Sequence, residues 1–182
     1  MSDPTRTPPP TSPPTSPPIP ARDLRIETVG PDRAEDVFAA TRAAFAEYAG
    51  VLDPPSGATT ESLDDVRAGI AEGGALLAWI GDALVGTGRF RLRDGWMYAE
   101  RIGVLPAARG GGVGVALMRA IEDTARAAGR AEVRLATRAA LWRNLRFYEG
   151  LGYRAIASRR HPRGPDFEIT LSKDVRASTL EA

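Results

Sequence analysis

The chain has 182 residues, a formal charge of +1, one histidine and no cysteine. This length suits one domain with a self-sufficient core, and the near-neutral charge gives no general attraction to nucleic acid or to an anionic membrane. Without cysteine there is no disulfide, thiol nucleophile or thiolate metal ligand. A single histidine disfavours a histidine metal site or a Ser-His-Asp triad, so we expect no bound metal.

The first 22 residues differ in composition from the rest of the chain. Nine of the fifteen prolines lie among the first twenty residues, mixed with Ser and Thr. Such a segment buries too little apolar surface to offset its ordering entropy. We therefore predict a disordered tail over 1–22, a folded domain over 23–175 and a short tail over 176–182. The absence of a signal-peptide pattern and of a membrane-spanning apolar run predicts a cytoplasmic protein.

The first half of the folded region predicts a strand, two helices and then three strands. Alternating residues indicate the strands, Gly-Pro-Asp opens the first helix, and short glycine-containing turns join the last three strands. In chain order the elements are the strand Leu24–Val29, the helix opened by Gly30-Pro31-Asp32, a helix from Thr60 or Glu61 to Glu72, and the strands Ala75–Ile80, Leu84–Arg91 and one ending at Val104.

The second half predicts a long helix, a strand, a short helix and a final antiparallel pair of strands. These elements are the helix that follows the glycines and ends at Gly129, the strand Ala131–Thr137, the helix Leu141–Glu149, and the strands Tyr153–Arg160 and Phe167–Ser172. Together with the first half they predict one α/β domain, with a mixed, mostly antiparallel sheet of about seven strands flanked by about four helices.

A glycine-rich run, Arg109-Gly110-Gly111-Gly112-Val113-Gly114, separates the strand that ends at Val104 from the long helix. A glycine turn that opens a helix directs several backbone N–H groups to one point, where the helix dipole adds positive partial charge, and this suits a phosphate. A P-loop is excluded because Val115-Ala116 replaces Lys-Ser/Thr. A dinucleotide fingerprint fails because Val115 or Leu117 stands where it needs glycine. A flexible loop without a ligand stays open as the alternative.

Three local motifs, together with the order of elements over residues 23–173, resemble one known family. Arg109-x-x-Gly112-x-Gly114 fits its Arg/Gln-x-x-Gly-x-Gly/Ala signature, Arg101–Pro106 resembles the strand segment that leads into that signature, and Phe147–Tyr153 resembles its Phe-Tyr-x-x-x-Gly-Phe/Tyr ending. The family is the GNAT superfamily of acyl-CoA-dependent N-acetyltransferases. The motifs occur in the family's order and at similar separations.

The resemblance implies acetyl-CoA as the co-substrate, with no metal. It implies that the backbone amides of Arg109, Gly110, Gly111, Gly112, Val113 and Gly114 hold the pyrophosphate. It also implies that the backbone of Ile102 and Val104 pairs with the pantetheine arm, and that the Ile102 N–H faces the thioester carbonyl, where negative charge develops.

Two positions depart from the family pattern. Gly111 stands where many members have lysine or arginine, and Leu141 stands where many have an asparagine that contacts the pantetheine. Asn144 lies one helical turn later, and it either takes over that contact or is a surface residue. The pantetheine contacts on this side therefore stay open.

The resemblance implies that Tyr148 protonates the departing thiolate, a role that suits a phenol of pKa near 10. The alternative is a core aromatic on a helix that packs on the sheet. A general base is also useful, because a lysine-like amine is neutral in only about one molecule in 2,500 at pH 7.

Glu100 is the candidate base. Strand alternation predicts that it shares a face with Ile102 and Val104, near the acyl end of the cofactor. The alternative is a carboxylate paired with Arg89, Arg91 or Arg101.

The resemblance places the acceptor between the first two helices, where Phe45 and Tyr48 are the predicted substrate contacts. Aromatic and acidic side chains suit a cationic amine, whereas the acids Glu61, Asp64 and Asp65 also suit a helix N-terminus that faces water.

The expected activity is acetyl transfer to a primary amine of a small molecule or protein, by direct attack in a ternary complex. The alternative is a non-catalytic acyl-CoA-binding domain that regulates or scaffolds. The identity of the acceptor and the assembly state, a homodimer included, stay open.

Overall fold

The centre of the fold is one mixed sheet of seven strands in a computed structural model that describes residues 23–176. The strands are β1 (Leu24–Val29), β2 (Gly73–Ile80), β3 (Ala83–Leu92), β4 (Trp96–Val104), β5 (Glu132–Arg138), β6 (Arg154–Arg160) and β7 (Phe167–Asp174). Their order is β1-β2-β3-β4-β5-β7-β6, and only the β4–β5 pair is parallel. The predicted tail 1–22 and residues 177–182 lie outside the described residues.

Within residues 23–176, five α-helices accompany the sheet, four of them longer than one turn. They are α1 (Ala34–Phe45), α2 (Gly57–Thr60), α3 (Leu63–Ala71), α4 (Val113–Ala127) and α5 (Trp142–Gly150). The predicted α/β class, the mostly antiparallel seven-stranded sheet and the four main helices are confirmed.

Helices cover both faces of the sheet because successive side chains of a central strand point to opposite sides. Leu77 belongs to a buried cluster with Val37 of α1 and Ile70 of α3. Its neighbour Leu76 belongs to the larger cluster on the other face, with Leu117 of α4. The fold is therefore three layers thick, and β2 is buried on both sides.

The predicted acidic helix begins two or three residues later in the structure than Thr60 or Glu61. The short α2 ends at Thr60, and α3 begins only after Ser62. Ser62 Oγ accepts from the Asp65 N–H, and the Asp65 carboxylate accepts from the Ser62 N–H at 2.8 Å, a capping box that fixes the start of α3. Glu61 lies between the two helices and turns inward.

A β-bulge interrupts β4 just before the glycine turn. Gly103 lies opposite Thr87, but Glu100 lies opposite Arg89, so β4 contains one residue more than β3 in this stretch. Arg101 has a φ of 56°, the one positive φ among the described non-glycine residues. The extra residue reverses the alternation of faces.

The strands β4 and β5 diverge beyond this bulge. They pair only from Trp96 to Ala99 against Glu132 to Leu135. Beyond this stretch β4 continues along β3 as far as Val104, while β5 continues along β7 as far as Arg138. The two strand ends therefore separate and leave a gap in the sheet.

Candidate functional site

A cleft of about 670 Å³ occupies the gap between β4 and β5. Its walls come from the end of β4, the end of α1, the glycine turn and the first turns of α5. Most of the predicted site residues line it: Phe45, Tyr48, Ile102, Val104, Arg109, Gly110, Gly112, Val113, Gly114, Asn144 and Tyr148. Gly111 and Glu100 do not.

The glycine turn presents backbone N–H groups to this cleft. Gly110 and Gly112 have φ values of 79° and 81°, in the left-handed region, and a Cβ at either would meet no atom within 4 Å. Glycine is therefore favoured at both positions by the left-handed backbone conformation. A side chain would have enough space there. Among the described residues, the amides from Gly110 to Val115 have no hydrogen-bond acceptor. Free amides at the start of the 15-residue α4 are chemically suited to an anion.

The Arg109 side chain turns away from the turn amides, toward α1 and β4. Its guanidinium donates to the Glu47 carboxylate, with contacts of 2.6 and 3.0 Å, and to the Ala44 carbonyl at 3.3 Å. Its Nε donates to the Val104 carbonyl at 3.1 Å. The positive charge is thus already paired, and the Val104 carbonyl already has one donor.

The peptide groups of β4 that face the cleft can be identified from their neighbours. The Leu105 N–H donates to the Val85 carbonyl of β3, so the Val104 carbonyl, one position earlier, points the other way. It reaches Arg109 on the cleft side. Because the pairing with β5 stops at Ala99, the end of β4 faces the cleft as a strand edge with no neighbouring strand among the described residues, as an extended ligand arm would need.

Tyr148 belongs both to the core and to the cleft lining, so its position is compatible with each of the two roles that the sequence left open. Its ring packs in the main core cluster, with the rings of Phe147 and Tyr153 at 5.1 and 6.0 Å between centroids. The side chain also lines the cleft. Burial raises the pKa of Tyr148, with smaller contributions from Tyr48 and Tyr98, so the phenol keeps its proton at neutral pH.

Glu100 lies on the opposite face of the sheet from Ile102, so the predicted shared face is wrong. The bulge at Arg101 is the reason: Ile102 packs in the cluster beneath α4, whereas Glu100 faces the layer of α3. The Glu100 carboxylate accepts from Arg91 at 3.1 Å and lies 3.4 Å from Arg89. This is the ion-paired alternative.

A larger ion cluster surrounds Glu100. Arg89 is 1% exposed and donates to Glu61 at 2.8 Å, and Arg101 contacts the same carboxylate at 3.3 Å. Arg91 also contacts Glu72, at 3.0 Å. The charges of the two buried glutamates are therefore compensated within the fold, and neither lines the cleft.

The predicted acceptor residues lie together on the α1 side of the cleft. The rings of Phe45 and Tyr48 are 5.8 Å apart with an interplanar angle of 60°. Burial raises the pKa of Tyr48, and the negative charge of Glu47 raises it further. Asn144 lies next to the Tyr48 hydroxyl and in the cleft lining, so it is a cleft residue.

Sequence reasoning did not single out the cleft residues Glu47, Trp142 and Arg143, among others. Glu47 is 62 positions from its partner Arg109, so no local pattern connects them. The sequence did contain a signal for Trp142. A tryptophan at the first position of a short helix, next to Leu141, does not lie on the face that packs in the core, and an exposed tryptophan is typical of a ligand site. Trp142 is 56% exposed.

Residues 23–176 contain neither a membrane-spanning helix nor a metal-binding cluster. No helix in this part of the chain has the length and apolar character needed to cross a bilayer. The same residues contain no group of three or more acidic or histidine side chains arranged to hold a metal ion.

The chain is similar to known acetyltransferases in sequence. Residues 39–153 match the family model described as Acetyltransferase (GNAT) family. The uncharacterized N-acetyltransferase YjcF of Bacillus subtilis (strain 168) is 33% identical over 84 residues, and this match covers 46% of the chain and 58% of that relative. The matched region thus spans little more than half of the relative's length.

Solved structures share the fold at low sequence identity. The ribosomal-protein-S18-alanine N-acetyltransferase of Escherichia coli has a TM-score of 0.70 at 16% identity, covering 87% of this chain and 98% of its own. The protein yncA of Salmonella typhimurium, solved with its cofactor acetyl-CoA, has a TM-score of 0.67 at 14% identity, covering 87% and 97%.

Proposed function

Because the chain belongs to the acetyltransferase (GNAT) family of acyltransferases, we propose that it transfers an acetyl group from acetyl-CoA to a primary amine. The amine belongs to a small molecule or to a protein. It attacks the thioester directly in a ternary complex, since the chain has no cysteine to form an acyl-enzyme.

One observation carries the proposal: a single cleft brings together free helix-terminal amides, a strand edge with no neighbouring strand among the described residues, and the Tyr148 hydroxyl. Acetyl-CoA has a pyrophosphate, an extended arm with two amides, and a thioester. Each part therefore has a chemically suitable wall, and about 670 Å³ lies within the usual range for ligand sites.

The chain's residues act by binding and by directing charge. The amides from Gly110 to Gly114 hold the pyrophosphate, and the cleft-facing backbone of Ile102 and Val104 orients the arm. Asn144 lies on the opposite wall and supplies an amide to the same arm. The Ile102 N–H stabilises the negative charge on the thioester oxygen as the amine attacks.

Tyr148 acts at the leaving group. The phenol keeps its proton at neutral pH because burial raises its pKa, so it donates a hydrogen bond to the sulfur as the C–S bond breaks. The thiol leaves with the proton, and the amide product keeps the acetyl group. The nitrogen of the intermediate releases one proton to water as the amide forms, and the phenol regains one from water, so no net proton is gained or lost.

Phe45 and Tyr48 form the wall for the acceptor, and no cleft carboxylate serves as an obvious base. Glu100 is held by two arginines, and Arg109 lowers the pKa of the cleft residue Glu47 through a hydrogen bond. We propose that the neutral fraction of the amine attacks. The rate with a lysine-like amine should then rise with pH toward its pKa.

The deciding experiment measures thiol release from acetyl-CoA with a panel of amines, for the wild type and for Tyr148→Phe. Phenylalanine keeps the ring packing and removes only the hydroxyl. We expect kcat to fall by about 100-fold with little change in the Kd for CoA. Thermal unfolding of both proteins controls for folding.

Three results separate the alternatives. Equal kcat values for the two proteins would remove Tyr148 from the mechanism. Binding of CoA without turnover on any amine would favour the acyl-CoA-binding module. A Tm unaffected by acetyl-CoA and by CoA would contradict both, because a ligand at 100 times its Kd stabilises a protein by about 2.7 kcal/mol.

A further inference from the structure

An aromatic and cationic cluster stands at the rim of the cleft, on the first turns of α5. Trp142 is 56% exposed, and the guanidinium carbons of Arg143 and Arg146 lie 5.3 and 5.9 Å from the centre of its ring. Trp142 and Arg143 line the cleft. We call these three residues the α5 cluster.

The two arginines of the α5 cluster have no ionic partner among the described residues. Within residues 23–176 no carboxylate lies within ion-pair distance of either guanidinium, and neither donates a hydrogen bond. Arg109, in contrast, is neutralised by Glu47. The positive charge of Arg143 also acts on Glu47, so Arg143 lies near the same rim as the glycine turn.

The placement of Arg143 is unfavourable for the isolated helix. The first turn of α5 contains no acidic residue, and cations near a helix N-terminus oppose the helix dipole. An exposed tryptophan adds no core packing there. A bound anion with a flat ring would make both features favourable.

We propose that the α5 cluster binds the adenosine 3′-phosphate end of acetyl-CoA, an inference that rests on the proposed function. The guanidinium groups of Arg143 and Arg146 bind the phosphate monoester, for which their fork geometry is suited. The indole of Trp142 packs against the adenine. The cluster thereby supplies the cations that the glycine turn lacks at Gly111.

The first test compares CoA with dephospho-CoA, which lacks only the 3′-phosphate, by calorimetric titration. We expect the wild type to prefer CoA by about tenfold, and Arg143→Gln/Arg146→Gln to lose that preference while its affinity for dephospho-CoA changes by less than about twofold. The control Arg67→Gln/Arg93→Gln removes two exposed arginines outside the cleft lining, and it should keep the full preference.

The second test uses the intrinsic fluorescence of Trp142. Adenosine 3′,5′-bisphosphate should quench the tryptophan emission of the wild type and leave that of Trp142→Phe unchanged. Gly111→Arg, placed in the Arg143→Gln/Arg146→Gln background, should restore part of the lost affinity for CoA, because a cation then returns to the turn. Its Cβ has space, with the nearest atom, the Ala108 carbonyl oxygen, at 3.5 Å.

The outcomes separate this inference from the proposed function. A wild type that binds CoA and dephospho-CoA equally, or a double variant that keeps the preference, overturns the α5 cluster as the phosphate subsite and leaves acetyl transfer standing. A wild type that binds neither acetyl-CoA nor CoA overturns the proposed function and this inference together.

Discussion

The bulge at Arg101 places Glu100 in a buried ion cluster outside the cleft, and substitution of Glu100 tests this structural role. Glu100 accepts from Arg91 and lies close to Arg89, whose Nε and Nη1 are buried without a partner among the described residues. Glu100→Gln removes a charge from this buried cluster, so we expect the free energy of unfolding to fall by about 1–2 kcal/mol. We expect kcat/KM to stay within about threefold of the wild type, since the carboxylate lies outside the cleft.

The control is Glu72→Gln, which breaks exposed contacts with Arg91 and Arg93. The Glu72 side chain is 51% exposed, so we expect a stability change below about 0.5 kcal/mol in urea unfolding. A large loss of kcat in Glu100→Gln, with a changed pH profile, would instead restore Glu100 as the general base.

Glu47 provides a prediction about pH. The hydrogen bond from Arg109 lowers the pKa of Glu47 below its ordinary 4.5. The unfolded chain therefore takes up this proton first as the pH falls, so the stabilisation is complete above pH 4.5 and is lost as the pH falls through the lowered value. We expect urea midpoints of the wild type to fall more steeply below pH 4.5 than those of Glu47→Gln. Parallel curves would contradict the pairing with Arg109.

At the scale of the element, the sequence predicts where each strand and helix lies in the chain better than it predicts which face of the element a side chain is on. Alternation and glycine turns located β1 to β4, but the single extra residue at Arg101 reversed the predicted side of Glu100. A bulge depends on tertiary packing, and Arg101 is not a residue type that favours positive φ. The start of α3 differs from the prediction for a simpler reason: Ser62 and Asp65, three residues apart, form a capping box that begins the helix at Leu63.

Two neighbouring glycines of the turn, Gly111 and Gly112, allow a matched pair of substitutions. Gly112 has a φ of 81°, whereas Gly111 has an ordinary φ, and neither has close neighbours to a Cβ. We expect Gly112→Ala to lower the free energy of unfolding by about 1–2 kcal/mol through backbone strain alone. Gly111→Ala should leave it unchanged or raise it by up to about 1 kcal/mol. Equal effects in thermal unfolding would contradict the assigned turn conformation.

At the scale of the whole molecule, the order of elements and three motifs predicted the family and the cleft. They predicted none of the contacts that close the structure around it. Arg109 binds Glu47, 62 positions away, and Arg138 reaches a loop more than 80 positions away. Such pairs form only in the assembled fold, and a single sequence contains no local pattern that predicts them.

Arg138 connects two distant loops beside the cleft, and this connection can be measured. Its guanidinium donates to the Asp166 carboxylate at 2.7 Å and to the carbonyls of Asp53 and Pro54 at 2.6 and 3.1 Å. The backbone at Gly164 also approaches this loop, since a Cβ there would lie 3.0 Å from the Asp53 carbonyl oxygen.

Arg138→Gln should therefore release both segments together. We expect amide exchange to accelerate by about tenfold in residues 50–60 and 161–166 and to stay unchanged in α4, because the loops open locally while the core stays closed. Arg159→Gln is the control: it breaks the exposed contact with Glu168 on the β6–β7 pair and should leave residues 50–60 unchanged. Faster exchange in only one of the two segments would show that Arg138 does not couple them.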